Sequence, residues 1–321
     1  MKSYRSLLEK IHREYTACRI PGMVITQKGT LIAYYECRRD FSDWASIDLK
    51  VIRSVDGGQS WTTVKIIPGE GKTLNNPVMI VNGEDIHFLY CKDYKYMFSC
   101  KSVDDGLTFS DAVEISDVFE NCGFFYSVVA VGPGHGIVHN GTLLAPVWFA
   151  CNEENPKAHR PSIIGTIYSK DNGATWKLGE IIGKDNLINP SECALGIDKD
   201  GKVLISIRNE NPVYKRAISV SDNGYDGWSE VEFLDVLTDP ICQGSMDSHN
   251  GEIFHINCEC QTERKKLCIK ITDNNFKTFR RKHVDQKGGY SDIVVTDDWI
   301  YVIYERDIKN DGLYFKRIKR Y

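Results

Sequence analysis

Short apolar runs separated by polar turn residues recur along the whole chain. Gly22-Met23-Val24-Ile25-Thr26, Leu31-Ile32-Ala33-Tyr34-Tyr35, Ile86-His87-Phe88-Leu89-Tyr90, Val203-Leu204-Ile205-Ser206-Ile207 and Trp299-Ile300-Tyr301-Val302-Ile303-Tyr304 are rich in Val, Ile and Tyr and bounded by Gly, Asn and Asp. That is the pattern of short β-strands. Asn82-Gly83, Asn140-Gly141, Asp200-Gly201 and Asn250-Gly251 supply hairpin turns, where both central residues need φ > 0. Only residues 3–15 look helical, with Leu7, Leu8 and Ile11 on one face, and the spacing predicts one helix there.

One turn pattern repeats. Ser54-Val55-Asp56-Gly57-Gly58-Gln59-Ser60-Trp61, Ser102-Val103-Asp104-Asp105-Gly106-Leu107-Thr108-Phe109 and Ser169-Lys170-Asp171-Asn172-Gly173-Ala174-Thr175-Trp176 share the form Ser-x-Asp-x-Gly-x-(Ser/Thr)-(Trp/Phe). The Asp bonds the amides of its own turn, and the aromatic plugs the space beneath. Two worn copies follow, Asp222-Asn223-Gly224 ending at Trp228 and Asp273-Asn274-Asn275 ending at Phe279. They read as boxes with one extra residue before the aromatic and no leading Ser. A period of about 50 residues marks a propeller or similar array. Five boxes predict an all-β chain folded as a six-bladed β-propeller of four-stranded antiparallel blades. Residues 1–321 then form a single domain. Its last blade is closed by both chain ends, an N-terminal strand lying beside residues 290–320, so that no sheet edge stays open.

Composition narrows the class. The 321 residues are 42% hydrophobic and 26% charged, with a net charge of −4, as in an ordinary soluble protein. No Lys/Arg run suggests nucleic acid, and no stretch reaches the ~20 apolar residues of a membrane span. The first twenty residues hold no apolar signal core. The eleven cysteines are odd in number and lack framework spacing, which reads as reduced thiols. The expectation is a cytoplasmic monomer, or a secreted protein if the sequence is a trimmed form. Cys258-x-Cys260 has no partner pair at zinc spacing, so no metal site is expected. An anionic ligand has to be met by a local cluster of positive charge.

Such a cluster can be assembled from scattered motifs. Arg19-Ile20-Pro21 just before the first strand, together with the boxes, resembles the bacterial-type sialidases (neuraminidases) with Asp-box repeats. The resemblance runs from about residue 17 to about residue 306. It assigns Arg19 to the first of three arginines that bind a substrate carboxylate. Asp43, five residues before Asp48, resembles the acid/base aspartate, with Asp40 as the competing position. Arg38 or Arg39 resembles the supporting arginine of that loop. Glu192 resembles the general base and Arg208, sixteen residues on, the second arginine. Arg264 resembles the third, although Lys265 and Lys266 blur the register. Tyr290, in Gly289-Tyr290-Ser291-Asp292, resembles the nucleophile, and Glu305 the carboxylate that holds the first arginine. Gly132-Pro133-Gly134-His135-Gly136-Ile137 resembles an element of the bacterial members, with His135 structural.

The chemistry suits the residues. Sialic acid carries a carboxylate on its anomeric carbon. Arginine forks match carboxylates, and a tyrosine nucleophile avoids the repulsion a carboxylate would meet there. The resemblance thus implies a retaining exo-α-sialidase acting on sialylated glycans or oligosaccharides, with no metal or organic cofactor. The alternatives are a glycosidase of a related nonulosonic acid, an intramolecular trans-sialidase, and a non-catalytic carbohydrate-binding propeller.

Overall fold

The computed structural model describes residues 3–11, 13–307 and 312–321. Its strands form six sheets, the blades of a propeller. Blade 1 runs Ala17–Ile25, Leu31–Arg38, Ile47–Ser54 and Thr62–Ile67. Blade 2 runs Leu74–Asn82, Asp85–Lys92, Tyr96–Ser102 and Val113–Glu114. In blade 3 the first strand is split into Val128–Val131 and Ile137–His139, followed by Thr142–Ala150, Ser162–Ser169 and Lys177–Leu178. Blade 4 comprises Cys193–Ile197, Val203–Ile207, Lys215–Ser221 and Glu232–Thr238. Blade 5 comprises Ser245–His249, Glu252–Cys258, Lys265–Thr272 and Arg280–Lys287. Blade 6 has Ser291–Val295, Trp299–Asp307 and Gly312–Lys319, with Tyr4–Lys10 as its outer strand. The first strands of neighbouring blades touch one another and surround the axis.

Each blade is apolar on both faces. Leu31, Ala33 and Tyr35 pack toward blade 6, while Ile32 and Tyr34 on the same strand pack toward blade 2. This is the period-2 alternation of a strand, but both sides are buried, so the sequence shows an unbroken apolar run. The six inter-blade clusters close the ring.

Two features differ from the sequence expectation. The helix expected over residues 3–15 is absent among its described residues; Tyr4–Lys10 is a strand, antiparallel to Gly312–Lys319 with Tyr4 opposite Arg317. Tyr4 and Leu8 pack on the blade 1–6 core while Leu7 faces out. An unpaired sheet edge some 300 residues away overrode a weak local pattern. Blades 2 and 3 also share an extra strand. Between the two halves of blade 3's split strand, Gly134–His135 crosses over and pairs in parallel with Val78 and Met79 of blade 2.

The boxes form as expected in the first three copies. Asp56 Oδ1 accepts from the amides of Gln59 (2.8 Å) and Ser60 (2.9 Å), and Oδ2 from the Ser60 hydroxyl (2.6 Å). The Ser54 hydroxyl donates to Asp56 (2.7 Å) and accepts from Gly58 N (2.9 Å). Gly58 has φ 84° and its missing Cβ leaves room for Phe315. The two worn copies have a different register from the one the sequence suggested. Asn223 and Asn274, not Asp222 and Asp273, occupy the aspartate position. Ser221 and Thr272 take the leading hydroxyl place. Gly224 N bonds Ser221 Oγ (3.0 Å), and Thr278 N bonds Asn274 Oδ1 (2.9 Å). The spacing to the aromatic is then the same in all five.

At Asp104 and Asp171 the hydrogen bond from the threonine hydroxyl is the main reason the carboxyl is held at about 2. At Asp56 burial raises the carboxyl, but the bonds from Ser60, Ser54 and the Gln59 amide together outweigh it, with the same result. The folded values lie below the usual 3.8. Their stabilisation is therefore in place above about pH 4 and lost as pH falls toward 2. Asp56→Ala should cost about 1 kcal/mol, discounted for the solvent facing the turn. Asp56→Asn, which copies the turns of blades 4 and 5, should cost much less. Thermal unfolding at pH 7 and pH 3 checks this: the gap between the wild type and Asp56→Asn should narrow at pH 3, and equal losses in both variants would contradict it.

Candidate active site

Antiparallel blades alternate their turns between two ends. The boxes join third to fourth strands at one end. The loops between second and third strands, and the entries into first strands, gather at the other, around a cavity of about 270 Å³. Arg19, Arg38, Asp43, Glu192, Arg208, Arg264 and Tyr290 all line it. Glu305 lies just beneath. The sequence candidates are thus brought together from four blades, 1, 4, 5 and 6.

Arg19 owes its direction to a bulge. Arg19 pairs with Glu36 and Gly22 with Tyr34, so Ile20 and Pro21 stand opposite one residue, Tyr35. Ile20 has φ 54°, a strained value for a β-branched residue, and Pro21 brings no amide that needs a ladder partner. Such bulges re-aim side chains. Blade 2 repeats the device at Asn76-Pro77, with Asn76 at φ 54°. Glu305, 1% exposed, anchors the bulge: it accepts from Arg19 Nε (3.0 Å), Ile20 N (3.1 Å) and Tyr290 N (3.2 Å).

Tyr290 is buried, and its hydroxyl donates to Glu192 Oε1. Arg208 Nη1 donates to Tyr290 Oη (2.7 Å) and to Glu192 Oε2 (2.7 Å). The guanidinium carbons of Arg19 and Arg264 lie 5.1 and 5.3 Å from the centre of the tyrosine ring. Burial pushes the Tyr290 hydroxyl up and Glu192 adds to it, against the pull of Arg208, Arg264 and Arg19. Burial would raise Glu192 too, but Arg208 and the bonds from Tyr290 and Ser191 hold it at about 2. Glu192 is therefore an ionised acceptor directly on the phenol proton.

Across the cavity, Asp43 Oδ1 accepts from Arg38 Nη1 (2.7 Å) and lies 3.7 Å from Arg19 Nη1. Burial raises its carboxyl, but Arg38 and then Arg19 bring it below the ordinary value. Its side chain stays 46% exposed, open to a ligand. The competing Asp40 is exposed and caps Ser42 N (2.7 Å). Arg39 turns away to Asp48 (3.1 Å). Lys265 pairs with exposed Glu263, and Arg264 reaches the cavity. Among the described residues Arg264 has no hydrogen-bonded carboxylate, so its fork is free for a ligand.

Several contributors were not found in the sequence. Glu36, fully buried, clamps Arg38 (2.6 Å) and accepts Asn76 N (2.8 Å). Its i, i+2 spacing to Arg38 on one strand face was the available signal. Ser191, next to Glu192, donates to it (2.7 Å). Tyr94, Trp148 and His159 form an aromatic wall with no local signature. His135, by contrast, lies in a separate cavity at the other end of the axis, bonded to buried Asp292 (2.8 Å). No cluster of His, Cys, Asp and Glu with metal-binding geometry occurs among the described residues, and all eleven cysteines are free. No helix among the described residues is long and apolar enough to cross a membrane.

Residues 64–302 match the BNR repeat-like domain. A sialidase of Bacteroides fragilis is 24% identical, over 91% of this chain and 60% of its own length. An exo-alpha-sialidase of Aspergillus fumigatus is 26% identical, over 92% of this chain and 80% of its own. Among solved structures, Hadza microbial sialidase Hz136 superposes with a TM-score of 0.83 at 22% identity, covering 96% of this chain and 66% of that one; the fold is shared. This chain spans about two thirds or less of the Bacteroides and Hadza proteins. The chain belongs to the BNR repeat-like domain family.

Proposed function

We propose that this chain is a retaining exo-α-sialidase that releases terminal sialic acid from glycans or oligosaccharides through a tyrosine nucleophile. The observation that carries the reading is the Tyr290–Glu192 hydrogen bond set among three arginines and facing Asp43 across one cavity. A ligand carboxylate fits the arginine cluster, with Arg264 as the open fork and Arg208 and Arg19 already held by Glu192 and Glu305.

In the first step Glu192 takes the phenol proton as the tyrosine oxygen bonds to the anomeric carbon. The C–O bond to the aglycone breaks, and Asp43 gives its proton to the leaving oxygen. Arg208, bonded to both Glu192 and the tyrosine oxygen, steadies the charge as it shifts. In the second step Asp43 removes a proton from water. That water attacks the anomeric carbon from the aglycone side, and the tyrosine oxygen leaves, recovering its proton from Glu192. Two inversions give net retention. At rest, Arg38 keeps Asp43 ionised. A substrate carboxylate on Arg19 offsets part of that positive field and favours the protonated form the first step needs.

Tyr290→Phe should fold normally and lose about a thousandfold or more in kcat on an aryl sialoside; near-normal turnover would sink the nucleophile assignment. Arg264→Ala should raise KM about tenfold to a hundredfold, the worth of a charged hydrogen bond, with a smaller change in kcat. Steady-state kinetics on the same substrate separate the two. A fall in kcat with KM unchanged would remove Arg264 from carboxylate binding.

A further inference from the structure

Two thiols lie behind Tyr290. Cys242 packs against Tyr290 and Ile20 in one small apolar cluster, and both of those residues are cavity wall. Cys258 ends the second strand of blade 5. Its sulfur lies 3.9 Å from the carbonyl oxygen of Gly289, the residue before Tyr290. A Cβ added at Gly288 would stand 3.3 Å from the same sulfur, so the chain enters Tyr290 by running over Cys258. The two thiols also meet each other, and each is the largest influence on the other's acidity. Neither takes part in the hydrolytic steps above.

The pair is asymmetric. The bond from Cys258 lowers the Cys242 thiol, and Arg264 and Arg208 lower it further, against burial and Asp239. The Cys242 thiol and burial push Cys258 up. The thiolate is the reactive form of cysteine, so Cys242 is the attacking member and Cys258 the resolving one. A cysteine with cationic neighbours and a second thiol beside it is the kind that oxidises reversibly. Both side chains are buried. The oxidant therefore has to be about as small as water, entering past Ile20 and Tyr290.

We propose that Cys242 and Cys258 form a redox-sensitive site, which hydrogen peroxide converts into a disulfide that displaces Tyr290 and a dithiol restores. The Cys242 thiolate attacks one peroxide oxygen and the O–O bond breaks. This leaves a sulfenic acid and hydroxide, which takes the proton released by Cys242 and departs as water. The Cys258 sulfur then attacks the sulfenic sulfur. The S–O bond breaks, and the leaving hydroxide takes the Cys258 proton as a second water. Two electrons have passed from the thiol pair to the peroxide. A dithiol reverses the bridge by exchange and is itself oxidised to a disulfide.

A disulfide holds its sulfurs about 2.05 Å apart, well inside contact distance. The Cys242 backbone is pinned: its amide donates to Asp239 Oδ1 (2.8 Å) and its carbonyl accepts from Arg216 Nη1 (2.9 Å), both partners buried. The movement falls on the Cys242 sulfur, which leaves Tyr290 and Ile20, and on the Gly288-Gly289 segment that rests on Cys258. Either shift moves the phenol relative to Glu192. The effect on activity rests on the sialidase reading; the bridge itself does not.

The test treats the protein with hydrogen peroxide, blocks free thiols with iodoacetamide in denaturant and maps unreduced peptides by mass spectrometry. Aryl sialoside turnover is measured before and after dithiothreitol. The Cys242 and Cys258 peptides should be joined. The kcat should fall about tenfold to a hundredfold, as for a small misplacement of a reacting group, and recover with dithiothreitol. Cys258→Ala should keep its kcat before treatment and form no bridge, and dimedone should then mark Cys242 as a sulfenic acid. Cys18 and Cys37 stand opposite each other in blade 1 and serve as the comparison: Cys18→Ala should respond as the wild type does. No bridge, or a bridge only between Cys18 and Cys37, would overturn the proposal. A Cys242–Cys258 bridge with unchanged kcat would overturn its hold on Tyr290. If the untreated wild type hydrolyses no sialoside, the sialidase reading falls and the peptide map still decides the bridge. If Cys258→Ala fails to fold, the wild-type map and the recovery with dithiothreitol decide.

Discussion

Glu305 is the interaction on which the site depends. One buried carboxylate holds the Arg19 guanidinium, the amide of the strained Ile20 and the amide of Tyr290. It therefore ties the entrance of blade 1 to the entrance of blade 6. These are the two blades where the ring closes, through a strand near the N-terminus paired with one near the C-terminus. Closing the ring and aiming the phenol are in this way one structural event. Removing the carboxylate would leave a buried arginine unpaired, among the costlier defects a core can carry. A second hub lies two residues from Tyr290: Asp292 bonds Met23 N of blade 1 (2.8 Å), His135 of blade 3 (2.8 Å) and the Ser245 hydroxyl of blade 5. Four blades meet at that side chain.

Stability and chemistry are separated along the propeller axis. The boxes stiffen one end with short-range hydrogen bonds that involve no residue of the cavity. The other end carries buried charge, which is tolerated because each group has a partner: Arg19 with Glu305, Arg38 with Glu36, Arg208 with Glu192. Around the axis the cavity is polarised, cationic on the side of blades 4, 5, 6 and 1, aromatic on that of blades 2 and 3. This explains how a chain of net charge −4 presents a concentrated positive site. On the proposed reading, a sugar carrying one carboxylate would enter in a single orientation, with its anomeric carbon over Tyr290.

Much of this was legible in the sequence, for physical reasons that can be named. The boxes announce themselves because a turn that bonds its own side chains needs fixed residues at fixed offsets. Their worn forms were misread by one position because asparagine offers the same acceptor oxygen as aspartate, and Asp222 and Asp273 happen to precede it. Near the N-terminus the local pattern suggested a helix while closure of the last blade called for a strand beside residues 290–320; the non-local pairing prevailed. That Asp43 rather than Asp40, Arg38 rather than Arg39, and Arg264 rather than its lysine neighbours line the cavity is a property of loop shape that the sequence does not display. Glu36 left only its i, i+2 spacing to Arg38, and Trp148 and His159 left no motif at all. Their place in the cavity comes from what lies beside them in space.

The account centres on Tyr290 as the atom that attacks the sugar. Incubation with a 2,3-difluorinated sialic acid slows release of any glycosyl-enzyme, because the fluorine at C3 disfavours the oxocarbenium-like transition state. Intact-mass spectrometry followed by peptide mapping then locates the adduct. The account predicts one sugar per chain, attached to the peptide containing Tyr290 through the phenolic oxygen. An adduct on Glu192 or Asp43, or turnover of sialosides with no adduct at Tyr290, would contradict it.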